Sequence, residues 1–307
     1  MIFPPFLTEN DHVRLISPAG VIDPSLIEGA KKRLNSWGWQ VTCGKAAAGS
    51  YGRYSGTVAE RLQDLQEALD DPDCKAVFCS RGGYGTVHLI DKIDLTQFKK
   101  HPKWLIGYSD ITLLHTMLQL NGFASIHGGM AKRLANGDDP AGLGLSYSPL
   151  NTLHEILDGV LPTYRTDKHL LNRVGTAQGI LRGGNLSILY SLRGTPLDDI
   201  PEGSILFLED VGEKPYSVDR MLHNLKLGGI LSRLGGLIVG QFSDYEEDPL
   251  MNKTVYVLIA DIVSPYGYPV CFDFPVGHTE KNVPLITGSL VQFSVDKQQV
   301  QLSNLKG

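Results

Sequence analysis

The sequence predicts an α/β fold: a parallel sheet with helices on both faces in the first half, then a second, smaller domain of α+β or barrel-like type. Three observations carry this. Short apolar runs alternate with stretches of helical period through the first half. The second half holds more strands and more glycine. A turn-rich, polar region at 135–175 separates the halves, which puts the domains at 1–165 and 166–307. Of the 307 residues, 42% are hydrophobic and 20% charged, enough for a sizeable core and too apolar for global disorder.

Taken in order, "VRLISPAG" (Val13–Gly20) reads as a buried strand ending in a turn. "DPSLIEGAKKRLNSWG" follows as a helix with Leu26, Ala30, Leu34 and Trp37 on one face, Asp23 as N-cap, Pro24 as first helical residue and Gly38 as stop. "WQVTCG" is a short strand. "TVAE" (Thr57–Glu60) is a capping box, opening a helix with Val58, Leu62, Leu65 and Leu69 on one face. "KAVFCS", "WLIGYS" and "FASIHGG" supply the third, fourth and fifth strands. In such sheets ligands sit beyond the carboxyl ends of the strands, where "SRGGYG" and "GYSD" both fall. The separating region contains the turn-rich "ANGDDPAGLGLSYSP", a short helix "LNTLHEILDGV" and the polar "PTYRTDKHL". Beyond it, "GSILFLED", "GGLIVGQF", "YPVCFDF" and "SLVQFSVD" read as strands, and "YSVDRMLHNLKLGG" and "KTVYVLIADIV" as helices.

Charge and cysteine content exclude several classes. A net charge of −5 gives no bulk attraction to nucleic acid or to an anionic membrane. No run reaches the roughly 18 apolar residues of a membrane-spanning helix. "MIFPPFLTENDH" has no basic n-region and breaks its apolar run with two prolines, so it does not read as a signal peptide. Cys43, Cys74, Cys79 and Cys271 are scattered, which favours a reducing cytoplasm over a disulfide framework. With neither Cys-x-x-Cys nor His-Glu-x-x-His, a zinc site is not expected.

Two motifs are decoys. "GWQVTCGKA" has one residue too many between its glycines for a phosphate loop, and Ala46 stands where Ser or Thr is needed. "GGYGTVH" lacks the third glycine of the dinucleotide fingerprint, which disfavours a dehydrogenase. Other motifs carry chemistry. The adjacent glycines of "SRGGYG" can expose backbone N–H groups to an anion, although a plain strand-to-helix turn needs the same residues. Ser109 follows a strand and precedes a helix, the setting of a nucleophile elbow. Ile111 replaces the closing glycine of that motif, and a lone serine at such a junction commonly serves only as a helix cap. Glu209 and Asp210 end an apolar strand, and His278 sits in a loop flanked by Gly and Pro. Each has a bland surface reading. Together they supply Ser, Glu and His, the set for base-activated acyl transfer.

"SRGGYG", "IGYSDIT", "HGGM", "GILRGGNLSIL", "LFLEDVGEKPYSVDRML" and "VGHTEKNVPLITG" resemble, in order and spacing, the signature blocks of the LD-carboxypeptidases of murein recycling, serine peptidase family S66. The microcin C immunity peptidases are that family's other branch. The resemblance spans nearly the whole chain. It implies a flavodoxin- or Rossmann-like N-terminal sandwich, a smaller β-rich C-terminal domain and a cleft between them holding the site. Ser109 would be the nucleophile, His278 the base and Glu209 its partner. The N–H of Asp110 and one from Gly83 or, less favoured, Gly82 would form the oxyanion hole, and Arg182 is a candidate partner for a substrate carboxylate. It further implies a cytoplasmic homodimer acting on a murein tetrapeptide in peptidoglycan recycling, with no metal or organic cofactor and no nucleic-acid or membrane partner. Rival readings are an immunity-type peptidase acting on an aminoacyl-adenylate analogue and a non-catalytic two-domain binding protein.

Overall fold

A computed structural model describes all residues except Leu143, Ser146, Lys306 and Gly307. The turn-rich stretch 135–149 therefore includes two residues outside the description. The chain divides into two compact units, Met1–Val160 with Val283–Ile286, and Leu161–Asn282 with Thr287–Gly307.

In the first unit the strands are β1 (His12–Ile16), β2 (Gln40–Cys43), β3 (Cys74–Cys79), β4 (Trp104–Gly107) and β5 (Ser125–His127), with the late strand β11 (Leu285–Thr287) beside β5. The sheet order is β11-β5-β4-β3-β1-β2, and β1 to β5 pair in parallel. That is the 2-1-3-4-5 order of flavodoxin-like sheets, whose switch point lies between β1 and β3. The helices are α1 (Pro24–Ser36), α2 (Val58–Asp70), α3 (Thr112–Leu120), α4 (Ala131–Asn136) and α5 (Pro149–Leu157). Right-handed crossovers with a reversal at β1 put α1 on one face and α2 and α3 on the other. The short α4 packs on α1, with Gly29 so close that a Cβ there would lie 2.6 Å from Ala135 Cβ.

Two helix starts form as the sequence predicts. Asp23 accepts from the Ser25 N–H, with Pro24 next. Thr57 and Glu60 make both bonds of the capping box. The buried faces are rotated from the expected ones. In α1 the buried residues are Ile27, Ala30 and Leu34, and Leu26 is only half-buried. In α2 Val58 is exposed and Leu62 half-buried, while Arg61 and Asp64 are buried with Leu65, Ala68 and Leu69. The polar pair can go inside because its partners are backbone groups. Asp64 accepts from the N–H groups of Lys45 and Ala46, both at 2.8 Å. Arg61 donates to the carbonyls of Gly56, Pro18 and Gly85.

In the second unit the strands are β6 (Thr163–Asp167), β7 (Gly175–Asn185), β8 (Ile205–Val211), β9 (Gly236–Ser243), β10 (Val270–Cys271), β12 (Leu290–Val295) and β13 (Gln299–Asn304). They form one mixed sheet in the order β10-β9-β8-β7-β12-β13-β6. The barrel-like alternative does not form: the sheet is open, with β10 and β6 at its edges. The polar "PTYRTDKHL" contributes β6, whose inward Tyr164 is buried while its neighbours are exposed. The glycine-rich β7 joins two halves. Its first residues pair antiparallel with β12 and its last pair parallel with β8. Helices α6 (Leu186–Ser191), α7 (Pro215–Leu227) and α8 (Val255–Val263) contribute Leu186, Leu222, Leu225 and Ile259 to a core with Leu206, Leu208 and Val239 of the sheet. No helix among the described residues is long and apolar enough to cross a membrane.

Candidate active site

Ser109 opens a 3-10 turn (Ser109–Ile111) directly after β4, leading into α3. Its φ is +66°, the left-handed region that side chains other than glycine rarely adopt. Its hydroxyl does not cap the helix: neither the turn nor α3 has a side-chain cap. The bland reading of this serine thus loses its physical basis, and a strained backbone remains to be explained. Ile111, which broke the elbow motif, packs onto Gly107, where a Cβ would come 3.0 Å from each γ-carbon of Ile111. The first glycine of the motif is therefore needed for this contact.

The loop after β3 lies against Ser109. A Cβ on Gly82 would be 2.7 Å from Ser109 Cβ and 3.0 Å from its Oγ. Gly82 O accepts from the Gly20 N–H at 2.9 Å, and Gly83 has a φ of +92°. Asp110 is buried, and Thr86 of the same loop donates to its carboxylate. Under the strand end, His115 bridges β4 and β5. One ring nitrogen lies 2.9 Å from Gly107 O and the other 2.8 Å from Ser125 Oγ. Burial pushes His115 down to about 4, against the raising effect of the Gly107 bond, so it is neutral. Since the carbonyl can only accept, Nε2 carries the proton and Nδ1 accepts from Ser125. The sequence reading missed His115, and no motif surrounds it.

In the second unit Glu209 is fully buried near the end of β8. Its Oε2 accepts from His278 Nδ1 at 2.6 Å, and its Oε1 has no hydrogen-bond partner among the described residues. Burial lowers His278, but the Glu209 bond and charge, with Asp210 and Asp244, outweigh it and leave the imidazole raised. Close approach is made possible by Gly277 (φ +138°), where a Cβ would lie 3.1 Å from Glu209 Cβ and 2.8 Å from Gln241 O. Asp210 points elsewhere and accepts from Asn185 Nδ2 and the Ser187 N–H, both at 2.8 Å. Burial raises it to about 6. Arg182 on β7 is 6% exposed, not a surface residue, and burial lowers it against the charge of Asp199. The sequence candidates thus fall in two groups, Ser109, Asp110, Gly82 and Gly83 in one unit and Glu209, His278 and Arg182 in the other.

Comparison with known proteins follows the same division. A sequence model of the LD-carboxypeptidase N-terminal domain matches residues 13–128, and one of the C-terminal domain matches 178–293. A probable murein peptide carboxypeptidase of Bacillus subtilis is 37% identical over 294 residues, covering 93% of this chain and 89% of that protein. A murein tetrapeptide carboxypeptidase of Pseudomonas aeruginosa is 32% identical, covering 89% and 90%. The crystal structure of a muramoyltetrapeptide carboxypeptidase from Oxalobacter formigenes superposes with a TM-score of 0.86 at 30% identity, covering 96% of this chain and 99% of that one. The microcin C7 self immunity protein MccF shares the fold, with a TM-score of 0.86 at 20% identity. Both halves of the chain match one family in its own domain order, so this protein belongs to the LD-carboxypeptidases of serine peptidase family S66.

Proposed function

We propose that this chain releases the terminal D-Ala from a cytoplasmic murein tetrapeptide during peptidoglycan recycling, as a homodimer, by Ser-His-Glu acyl transfer. The observation that carries the reading is the pairing of half-buried His278 with fully buried Glu209, 2.6 Å between Oε2 and Nδ1. A carboxylate on Nδ1 selects the tautomer whose Nε2 lone pair is the base. The left-handed, uncapped Ser109 after a parallel strand supports its role as nucleophile.

His278 Nε2 takes the Ser109 hydroxyl proton as Oγ attacks the carbonyl of the diamino acid. The negative charge on the tetrahedral oxygen is met by the N–H groups of Asp110 and Gly83, each such donor contributing about 3–4 kcal/mol. Gly82 is the less favoured second donor: the side of its Cα where a Cβ would stand faces Ser109. Protonated His278 gives its proton to the departing D-Ala amine. Water then attacks the acyl-serine with His278 again as base and releases the tripeptide. Arg182 is assigned to the substrate carboxylate on the strength of its buried charge. The names of the Bacillus and Pseudomonas relatives support the substrate class.

The test is D-Ala release from L-Ala-γ-D-Glu-diaminopimelate-D-Ala by purified protein. Wild type should turn it over, cleave the terminal L-Ala analogue about 10- to 100-fold more slowly, and lose activity in Ser109→Ala. An untouched tetrapeptide with rapid hydrolysis of an aminoacyl sulfamoyl-adenylate would move the chain to the immunity branch. Full turnover by Ser109→Ala would remove the nucleophile assignment.

A further inference from the structure

The side chain of Asp110 has no part in the acyl transfer described above, yet it is bound at both its reach and its charge. It is 2% exposed, and its Oδ2 accepts from the Thr86 N–H at 2.8 Å and from Thr86 Oγ1 at 2.6 Å. Thr86 is itself fully buried. Asp110 belongs to the turn after β4, and Thr86 closes the loop after β3. These two segments carry the two proposed oxyanion donors, the Asp110 N–H and the Gly83 N–H. One carboxylate oxygen therefore ties the residue of one donor to the loop of the other.

The opposite end of that loop is fixed as well. Gly82 O accepts from Gly20 N–H at 2.9 Å. In a trans peptide the carbonyl and the following N–H point in opposite directions, so this bond turns the Gly83 N–H away from Gly20. Below the loop lies Arg61, 1% exposed, which donates to Pro18 O at 2.7 Å, Gly85 O at 2.9 Å and Gly56 O at 3.1 Å. It thereby joins the segments that follow β1 and β3 to the start of α2. Burial raises the Asp110 carboxyl above its ordinary value, and the two Thr86 bonds, the Arg61 charge and His88 offset only part of that rise.

We propose that Thr86 and the Asp110 side chain, braced by Arg61, are positioning residues that hold the two oxyanion donors at the spacing required by the tetrahedral transition state. This rests on the reading of Ser109 as nucleophile. Oxyanion donors act at about 2.7–3.1 Å from the developing charge, and a displacement of about 1 Å costs on the order of 10²-fold in rate. The strand framework can survive without the Thr86 hydroxyl, but the spacing of the donors cannot.

The experiment compares wild type, Thr86→Val, Thr86→Ser and Asp110→Asn in D-Ala release and in binding of a peptidyl boronic acid, whose serine adduct is tetrahedral. Thr86→Val keeps the shape and loses the donor. Its kcat should fall about 10- to 100-fold with KM changed less than about three-fold, and boronate affinity should fall by the same factor as kcat/KM. Thr86→Ser should recover most of the lost kcat relative to Thr86→Val. A Thr86→Val enzyme within about two-fold of wild type in kcat, or one losing kcat with boronate affinity unchanged, overturns the proposal. Should Thr86→Val not fold, Asp110→Asn decides. It keeps an acceptor for the Thr86 N–H but loses the charge, so a loss of about three- to ten-fold in kcat and boronate affinity supports the frame, and wild-type values overturn it. Labelling of Ser109 by a fluorophosphonate tests the nucleophile separately. Labelling with an unaffected Thr86→Val enzyme overturns the frame alone, whereas an active Ser109→Ala enzyme overturns both readings.

Discussion

Ser109, the proposed nucleophile, sits on a strained backbone. A left-handed φ costs an L-residue with a Cβ about 1–2 kcal/mol, and Ser109 gains no capping bond in return. Ser109→Gly should therefore be more stable than Ser109→Ala by about 1 kcal/mol in urea denaturation, and neither should turn over substrate if Ser109 is the nucleophile. His278 offers a second residue-level test. The proposed base must be neutral, and its raised pKa sets the acidic limb of kcat/KM above the usual 6.5 of histidine. Glu209→Gln removes the anion responsible. The limb should then move to lower pH, while the plateau falls on the order of 10²- to 10⁴-fold. A limb that stays in place would show that another group titrates. Turnover should also survive EDTA, because the proposed chemistry uses no Lewis acid.

At the scale of elements, glycine in β7 is a packing requirement. A Cβ on Gly183 would sit 1.9 Å from Phe207 O, and its φ is +135°. Gly179 is similarly seated, 2.1 Å from Gly203 O. The Arg-Gly-Gly-Asn stretch thus lets β7 run close beside β8, in a register that places Asn185 next to Glu209. Gly183→Ala should cost at least about 3 kcal/mol, or give insoluble protein, since both the backbone region and the contact are lost. A near-native melting temperature for that variant would contradict the close approach.

For the whole molecule, two buried groups, one in each unit, should respond oppositely to acid. His115 in the first is pushed down to about 4 by burial, so the unfolded chain binds its proton first. Its contribution to stability is intact above about 6.5 and is lost as pH falls toward 4. Asp210 in the second is pushed up to about 6, so the folded state binds its proton first, and stability rises as pH falls from 6 toward 3.8. Hydrogen exchange between pH 6.5 and 4 should show protection falling in β4 and β5 of wild type but less so in His115→Asn. Asp210→Asn should lose the opposing gain around β7 and β8. The proposed homodimer predicts a light-scattering mass of twice the 33.6 kDa chain.

The sequence alone determined the features that depend on local chemistry. The alternation of apolar runs and helical periods pointed to β1 to β5 as a parallel sheet, and Asp23-Pro24 and Thr57–Glu60 specified helix starts, because caps and periodicity act over a few residues. Six blocks in order also identified the family. Other features required distant partners. Arg61 and Asp64 enter the core only because Gly56, Pro18, Gly85, Lys45 and Ala46 present backbone groups to them. β6 was hidden by polar residues, since a strand with one face exposed and a single inward tyrosine has little apolar signal. β7 was hidden by glycines, whose meaning lies in the carbonyls they approach. Likewise the sequence could name Glu209 and His278, but their pairing at 2.6 Å across 69 residues is set by β8 and the Gly277 loop. Local propensity reads only the neighbouring chain, whereas burial of charge and close backbone approach are decided by whatever the fold brings alongside.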